Sequence, residues 1–377
     1  MIITVVCDVL GEENNGTTIA AMNLIRSLKA KGHEVRVICP DQDKKNLPGY
    51  YIVKTINLGP LNNYVKKNGV ALAKADKKVI YEAIRDADAV HLMVPFSLSK
   101  ATVKLAKKLN KPLTAGFHCQ AENFTNHVFL MNSRFANILT YKYFYKKVYR
   151  YVDCIHYPSQ FIRDTFEGIV GKTNGVVISN GVSKEFQKRE VQRPEAFKDK
   201  FVILSVGRLS KEKQQRVLIE AVKKSKYRDK IQLIFAGAGP LREKLEKESE
   251  KLPLKPIFRF FNRQELINTI NYSDLYVHPA EIEIEAIACL EAISCGLVPV
   301  ISDSPRSATR YFALTENNLF ACNDSVNLAQ KIDYWLEHPE EKMAVSQAYL
   351  NYKNKFDHDA CMDAMEKMIL KNAEAKV

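Results

Sequence analysis

A chain of 377 residues is long enough for two or more domains with sizeable cores. Its hydrophobic fraction of 46% and charged fraction of 26% are those of a globular protein and exclude a disordered or fibrous one. The formal net charge of +13 points to anionic partners: nucleic acid, anionic lipid or phosphorylated ligands. The eight cysteines show no C-x-x-C pair, and Cys7, Cys39, Cys289 and Cys295 sit in apolar runs, as reduced core residues do. The first residues lack a basic leader, and no apolar run approaches a membrane span, so a cytoplasmic protein is expected.

Ile2–Cys7 is a β-branched run that predicts a buried parallel strand. A polar loop, Gly11 to Gly16, leads to a helix over 17–31, which Gly32 stops before a strand over 34–39. This βαβ unit lacks the G-x-G-x-x-G of a dinucleotide site. Further strands are predicted over 88–94, 112–117, 155–158 and 176–179, with a helix over 99–109. His118 stands just beyond a strand's carboxyl end, where ligands gather in open α/β sheets, and Glu122 and Asn123 follow it. Asp86-Ala87-Asp88 has the form of a metal-binding D-x-D but precedes a strand, so a turn role is expected, and no other metal spacing is seen.

Between 135 and 152, basic and aromatic residues mix at helical spacing, Tyr141 to Tyr151 above all. Two readings stand: a core helix with solvated lysines, or an interfacial element on anionic lipid. A second basic stretch, Lys66 to Lys78, adds to the latter.

Ser183–Lys200 is charged and poor in apolar residues, as linkers are. Beyond it a second set of αβ units begins with a strand over 201–206, followed by Gly207-Arg208-Leu209 and Lys213. The strand over 231–236 ends in Gly237-Ala238-Gly239-Pro240, and further strands are predicted over 258–261, 274–279 and 298–301. Glu283 and Glu291 stand eight apart on a loop and a short helix whose first turn, around Ala286 and Ile287, offers free N–H groups to an anion. Helices over 326–336, 339–355 and 360–370 close the chain.

The order V-G-R…K, G-x-G-P, E-x7-E, each after a predicted strand, resembles the retaining glycosyltransferases of family 4. Asn180-Gly181-Val182 matches that family's N-G-V. The resemblance implies an α/β protein with the GT-B fold, two Rossmann-like domains facing a cleft. Residues 1–185 would form the acceptor-side domain, joined by a C-terminal helix at about 357–377, and 186–356 the nucleotide-sugar domain. The resemblance implies donor contacts at Gly16, Gly207, Arg208, Lys213, Gly237, Gly239, Glu283, Ala286, Ile287 and Glu291. Glu283 would meet the sugar, Glu291 the ribose, and Arg208 with Lys213 the diphosphate. His118 would contact the donor sugar, and Glu122 and Asn123 the acceptor.

The chain departs from the family at Gln214, Asn262 and Ala286, where Gly is usual, and at Glu285, where an aromatic is usual. Glu281, Glu283 and Glu285 alternate, so which of them faces the donor is open. No cofactor is expected, since the nucleotide sugar, a UDP-sugar in the favoured reading, is itself the donor. The acceptor expected is a membrane glycerolipid or a glycan precursor, with docking at the inner membrane face. The alternatives are a nucleotide-sugar epimerase of the same fold, a phosphorylase using pyridoxal phosphate, and a basic nucleic-acid binder. Dispersed charge and a site built of carboxylates argue against nucleic acid.

Overall fold

The computed structural model describes residues 1–10, 16–57, 59 and 72–374. The polar loop before Gly16 and residues 66–71 of the Lys66 to Lys78 stretch lie outside them. The chain divides into two compact units: Met1–Asn180 with Asp359–Val377, and Gly181–His358. The charged stretch 183–200, read as a linker, therefore belongs to the second unit, and the change of unit comes a few residues before the expected 185/186.

The first unit holds a seven-stranded parallel sheet. Its strands are β1 (Ile2–Val6), β2 (Glu34–Cys39), β3 (Tyr50–Ile52), β4 (Ala89–Leu92), β5 (Leu113–Gly116), β6 (Cys154–Tyr157) and β7 (Gly175–Val177). Their order is β3-β2-β1-β4-β5-β6-β7. Strand β1 is paired on both edges, Val5 with Val37 on one side and His91 on the other. A strand so placed has helices over both faces, which is why its sequence is continuously apolar rather than alternating.

Ile3, Val5 and Cys7 pack with the helix Gly16–Ala30 and with Met362, Met365 and Ile369 of the last helix, His358–Glu374. Lys31 and His33 tie that helix down through Glu366, His33 Nε2 lying 2.7 Å from its carboxylate. Asp86 pairs with Arg36, and Asp88 accepts from the Ile2 N–H at 2.7 Å. The D-x-D triplet is thus a structural turn.

The second unit holds six parallel strands, β8 (Phe201–Val206), β9 (Ile231–Ala236), β10 (Ile257–Arg259), β11 (Leu275–His278), β12 (Pro299–Asp303) and β13 (Leu319–Ala321). Their order is β10-β9-β8-β11-β12-β13. Both units are therefore Rossmann-like, with α-helices between most successive strands. Strands β3 and β13, absent from the sequence reading, are three-residue edge pieces.

The aromatic stretch after Arg134 forms a helix, Arg134–Lys147, capped by Ser133, whose Oγ accepts from the Ala136 N–H at 3.3 Å. Tyr141 and Phe144 are each 1% exposed and Tyr149 is 2% exposed, so these three rings cannot meet a membrane surface as they stand. These rings instead join a core cluster with Phe117 and Phe166. The Phe117 and Phe166 centroids lie 4.6 Å apart, and Tyr141, Tyr145, Tyr149 and Tyr157 surround Phe166. Burying such rings contributes beyond area alone through edge-to-face contact. Phe166→Ala should destabilise the protein by about 3–5 kcal/mol, read as a lowered urea midpoint.

Candidate functional site

The chemistry expected of the second unit gathers at the carboxyl ends of β8, β9 and β11. Beyond β8, Gly207-Arg208-Leu209 runs beside Gly237-Ala238-Gly239 from the end of β9. The two loops are laced by Gly207 N–H to Ala236 O, Leu209 N–H to Ala238 O and Leu241 N–H to Leu209 O, each at 3.0 Å. A Cβ at 237 would sit 2.0 Å from Gly207 O, and one at 239 would sit 2.4 Å from Leu209 O. These glycines let two backbones touch. That requirement accounts for G-x-G here whether or not a phosphate also lies against the loop.

Lys213 crosses from the β8 loop to Glu283 in the loop after β11, and the two charges pair directly. His278, the last residue of β11, places Nε2 3.1 Å from the same Glu283 oxygen, while Tyr276 Oη lies 3.1 Å from its Nδ1. Burial alone would raise the Glu283 carboxyl. The Lys213 charge and the hydrogen bonds from His278 and Lys213 outweigh it and bring the pKa down to about 2. The other two glutamates have different surroundings. Glu281 pairs with Arg306 and accepts from Gln214 Nε2 at 3.2 Å, and Glu285 is buried. Of the three, Glu283 is the one joined to Lys213.

The loop is held from below by 304–308. Ser304 Oγ donates to Glu281 O at 2.6 Å, Ala308 N–H to Glu283 O at 2.9 Å, and Glu283 bridges Ser307 in parallel register. His278 and this 304–308 brace were missed in the sequence. The strand-end argument that selected His118 also applies to His278, so that residue was within reach. Nothing in the composition of 304–308 announces a brace.

Two departures from the family pattern fall at special backbone. Gln214 has φ +52° and Ala286 φ +60°, the left-handed region where glycine is at ease. The usual glycines are thus a backbone requirement that this chain meets with strained L residues. Asn262 is different. It caps the helix Arg263–Tyr272 in a reciprocal box with Glu265.

Ala286 leads into the helix Ile287–Ser294, which carries Glu291. Burial pushes the Glu291 carboxyl up to about 8, against the pull of Arg263. The sunken ring of Tyr276 feels both Glu283 and Glu291.

Gly16, His118, Glu122 and Asn123 belong to the first unit. Gly16 opens the first helix and is exposed, with nothing within 4 Å of where a Cβ would stand among the described residues. The His118 ring folds over Gly116, where a Cβ would come 2.5 Å from its Nε2, and meets His156 at 5.3 Å between centroids. Burial, then the neighbouring His156 and His91, holds its pKa well below the ordinary 6.5, so the ring is neutral at physiological pH. Glu122, expected at the acceptor, is buried and accepts from Tyr141 Oη at 2.9 Å. It serves the aromatic core instead. Asn123 beside it is part-exposed.

Residues 186–351 match the family described as Glycosyl transferases group 1, and residues 14–186 match Glycosyltransferase Family 4. The chain belongs to this family of glycosyltransferases and is an enzyme of that class. Among its relatives, the alpha-monoglucosyldiacylglycerol synthase of Streptococcus pneumoniae is 23% identical over 303 residues, 76% of this chain and 68% of that protein. The GDP-mannose-dependent alpha-mannosyltransferase of Corynebacterium glutamicum is 28% identical over 301 residues, again 76% and 68%. Anabaena Alr3699/HepE, solved in complex with UDP-glucose, superposes with a TM-score of 0.77 at 16% identity, covering 98% of this chain and all (100%) of that one, and so shares the GT-B fold.

Two outcomes follow from the backbone and the carboxylates. Ala286→Gly should stabilise by about 0.5–1 kcal/mol, the left-handed strain relieved less the added freedom of the unfolded chain, seen as a higher thermal midpoint. Glu291 binds its proton more tightly folded, at about 8, than at the ordinary 4.5, so its contribution is intact below pH 4.5 and lost as pH rises through about 8. Glu283 has the opposite sign: its contribution is present above 4.5 and lost as pH falls towards about 2. Glu291→Gln should therefore flatten the decline of the ligand-free midpoint between pH 4.5 and about 8, checked by calorimetry across that range.

Proposed function

We propose that the protein transfers a hexose from a UDP-sugar, with retention, to a membrane glycerolipid. The observation that carries the reading is the Lys213–Glu283–His278 constellation at the ends of β8 and β11. A carboxylate held ionised beside a cation suits a sugar hydroxyl on one side and a phosphate on the other. As the glycosidic bond breaks, charge builds on the leaving diphosphate. Lys213, with Arg208 beyond the same strand, offsets that charge where it grows. Glu283 stays ionised and accepts from the donor sugar, and the ribose falls to Glu291, whose proton gives it a donor as well as an acceptor. The leaving phosphate takes the acceptor's proton on the face from which it departs.

Retention is supported by the alpha products for which both relatives are named, since common hexose donors are themselves α-linked to the diphosphate. The glycerolipid acceptor is supported by the first of them and by the +13 charge. The second is named for GDP-mannose, so the base is tested rather than assumed.

Purified protein incubated with UDP-glucose, UDP-galactose or GDP-mannose and detergent-dispersed diacylglycerol should form an α-glycolipid from a UDP-sugar. Product formed only from GDP-mannose would reverse the donor assignment, and free sugar or an epimer would point to the epimerase instead. Arg208→Ala and Lys213→Ala should each lower turnover by roughly two orders of magnitude; turnover near the parent's in both would remove the diphosphate role. In calorimetry, Glu291→Gln should weaken UDP itself, whereas Glu283→Gln should spare UDP and weaken the UDP-sugar.

A further inference from the structure

The first unit carries an apolar surface that its own core does not use. It lies where the chain turns from the short helix Ala121–Asn126 into the helix Arg134–Lys147. Val128, Phe129 and Leu130 form the tip of the turn, and Phe129 is 88% exposed. On the helix that follows, Phe135, Leu139 and Tyr143 are exposed at i, i+4, i+8 spacing, Phe135 at 72%. They line one solvent-facing stripe. The opposite face of that helix sends Tyr141 and Phe144 into the aromatic core, so the helix is apolar on both sides. Among the described residues, only one side has a partner within the unit.

The tip is built rather than loose. Asn137, buried beneath it, accepts from Thr125 Oγ1 at 2.6 Å and donates to Met131 O at 2.9 Å. Leu130 N–H returns to Thr125 O at 2.9 Å and Phe129 N–H to Asn126 O at 3.1 Å. Phe129 itself adopts φ +61°, a left-handed backbone that is an outlier for a bulky residue. The fold thus holds a phenyl ring outward in a conformation that the chain would otherwise avoid, and such outliers point to function.

The charge along this segment is of one sign. Between Glu122 and Asp153 there is no acidic residue, whereas Arg134, Lys142, Lys146, Lys147 and Arg150 all fall there. Lys142, Lys146 and Arg150 are exposed at i, i+4, i+8 spacing, one residue out of phase with the apolar stripe. Aromatic and aliphatic tips bordered by a cationic row match the boundary between acyl chains and anionic headgroups. A second copy of this chain would set that row against its own like charges.

We infer that residues 124–146 form a docking surface for an anionic phospholipid bilayer, with Phe129 and Phe135 entering the interface and Lys142 and Lys146 meeting the headgroups. This takes the membrane contact from the buried rings of Tyr141, Phe144 and Tyr149 and gives it to the outward side of the same region. It rests on the glycerolipid reading only for its purpose, since docking is measured without turnover.

The test is flotation of the full chain with vesicles of phosphatidylcholine alone or with phosphatidylglycerol, at low and high salt. The parent should float with the anionic vesicles at low salt and less at high salt. Phe129→Ser with Phe135→Ser should lower the bound fraction by at least ~tenfold, the loss expected when a buried aromatic is removed from each contact. Lys142→Glu with Lys146→Glu should abolish the preference for phosphatidylglycerol. Tyr311→Ser, an exposed ring in the second unit, should change nothing. Unchanged thermal midpoints would show that the variants fold.

Flotation of the Phe double variant equal to the parent's, or a parent that ignores anionic vesicles at low salt, overturns the assignment. So does light scattering that shows a dimeric parent and a monomeric Phe variant, which would make the surface a self-association face. Docking without transfer to diacylglycerol would instead leave this surface standing and remove the acceptor reading.

Discussion

The second unit is arranged around the pairing of Lys213 with Glu283. One comes from the loop beyond β8 and the other from the loop beyond β11, two strands adjacent in the sheet. Both side chains are largely withdrawn from water, where a lone charge is expensive and a matched pair is tolerated. The pair therefore helps fix the distance between two loops that Glu281 also joins, its N–H donating to Glu212 O and its carboxylate accepting from Gln214. His278 completes it from the strand itself, and Ser304, Ser307 and Ala308 brace the glutamate's backbone from beneath. A ligand that carries both hydroxyls and a diphosphate offers each partner of the pair a replacement for the other.

The glycines and the strained residues serve the same end. Gly237 and Gly239 allow the β8 and β9 loops to touch beyond the carboxyl ends of those strands, beside Arg208. Gln214 and Ala286 turn the chain through left-handed backbone just before two helices, Gln215–Lys224 and Ile287–Ser294. Their strain is borne because the flanking elements are locked by the core beneath them.

In the first unit the organising force is aromatic packing. Phe117 and Phe166 gather tyrosines from three neighbouring segments, and Glu122 is drawn in to accept the Tyr141 hydroxyl. That explains why a stretch rich in tyrosine and lysine divides by side: rings inward, ammonium groups outward. It also leaves the apolar stripe around Phe135 unused by the core. The stripe's cationic border fits an anionic surface better than it fits another protein of the same charge.

Most strands were legible from the sequence because a parallel sheet covered on both faces demands unbroken apolar runs, such as Ile2–Val6 and Phe201–Val206. Helices such as Gly16–Ala30 showed in their periodicity and glycine stops, and the order of motifs around Arg208, Gly237 and Glu283 identified the family. Edge pieces β3 and β13 went unread, although β7 and β10, equally short, did not. Which of Glu281, Glu283 and Glu285 pairs with Lys213 also lay beyond the sequence. Alternation gives all three the same local pattern, and only the approach of Lys213, seventy residues away, separates them. In the same way, composition marked 135–152 as basic and aromatic, but which rings face inward depends on Phe117 and Phe166, which reach them only through the packing of distant strands and helices. What the sequence determined by itself was local backbone preference and the kinds of side chain at each strand end. What tertiary structure decided was which of those side chains meet, because long-range contact, not local pattern, selects one carboxylate or one face of a helix over its equals.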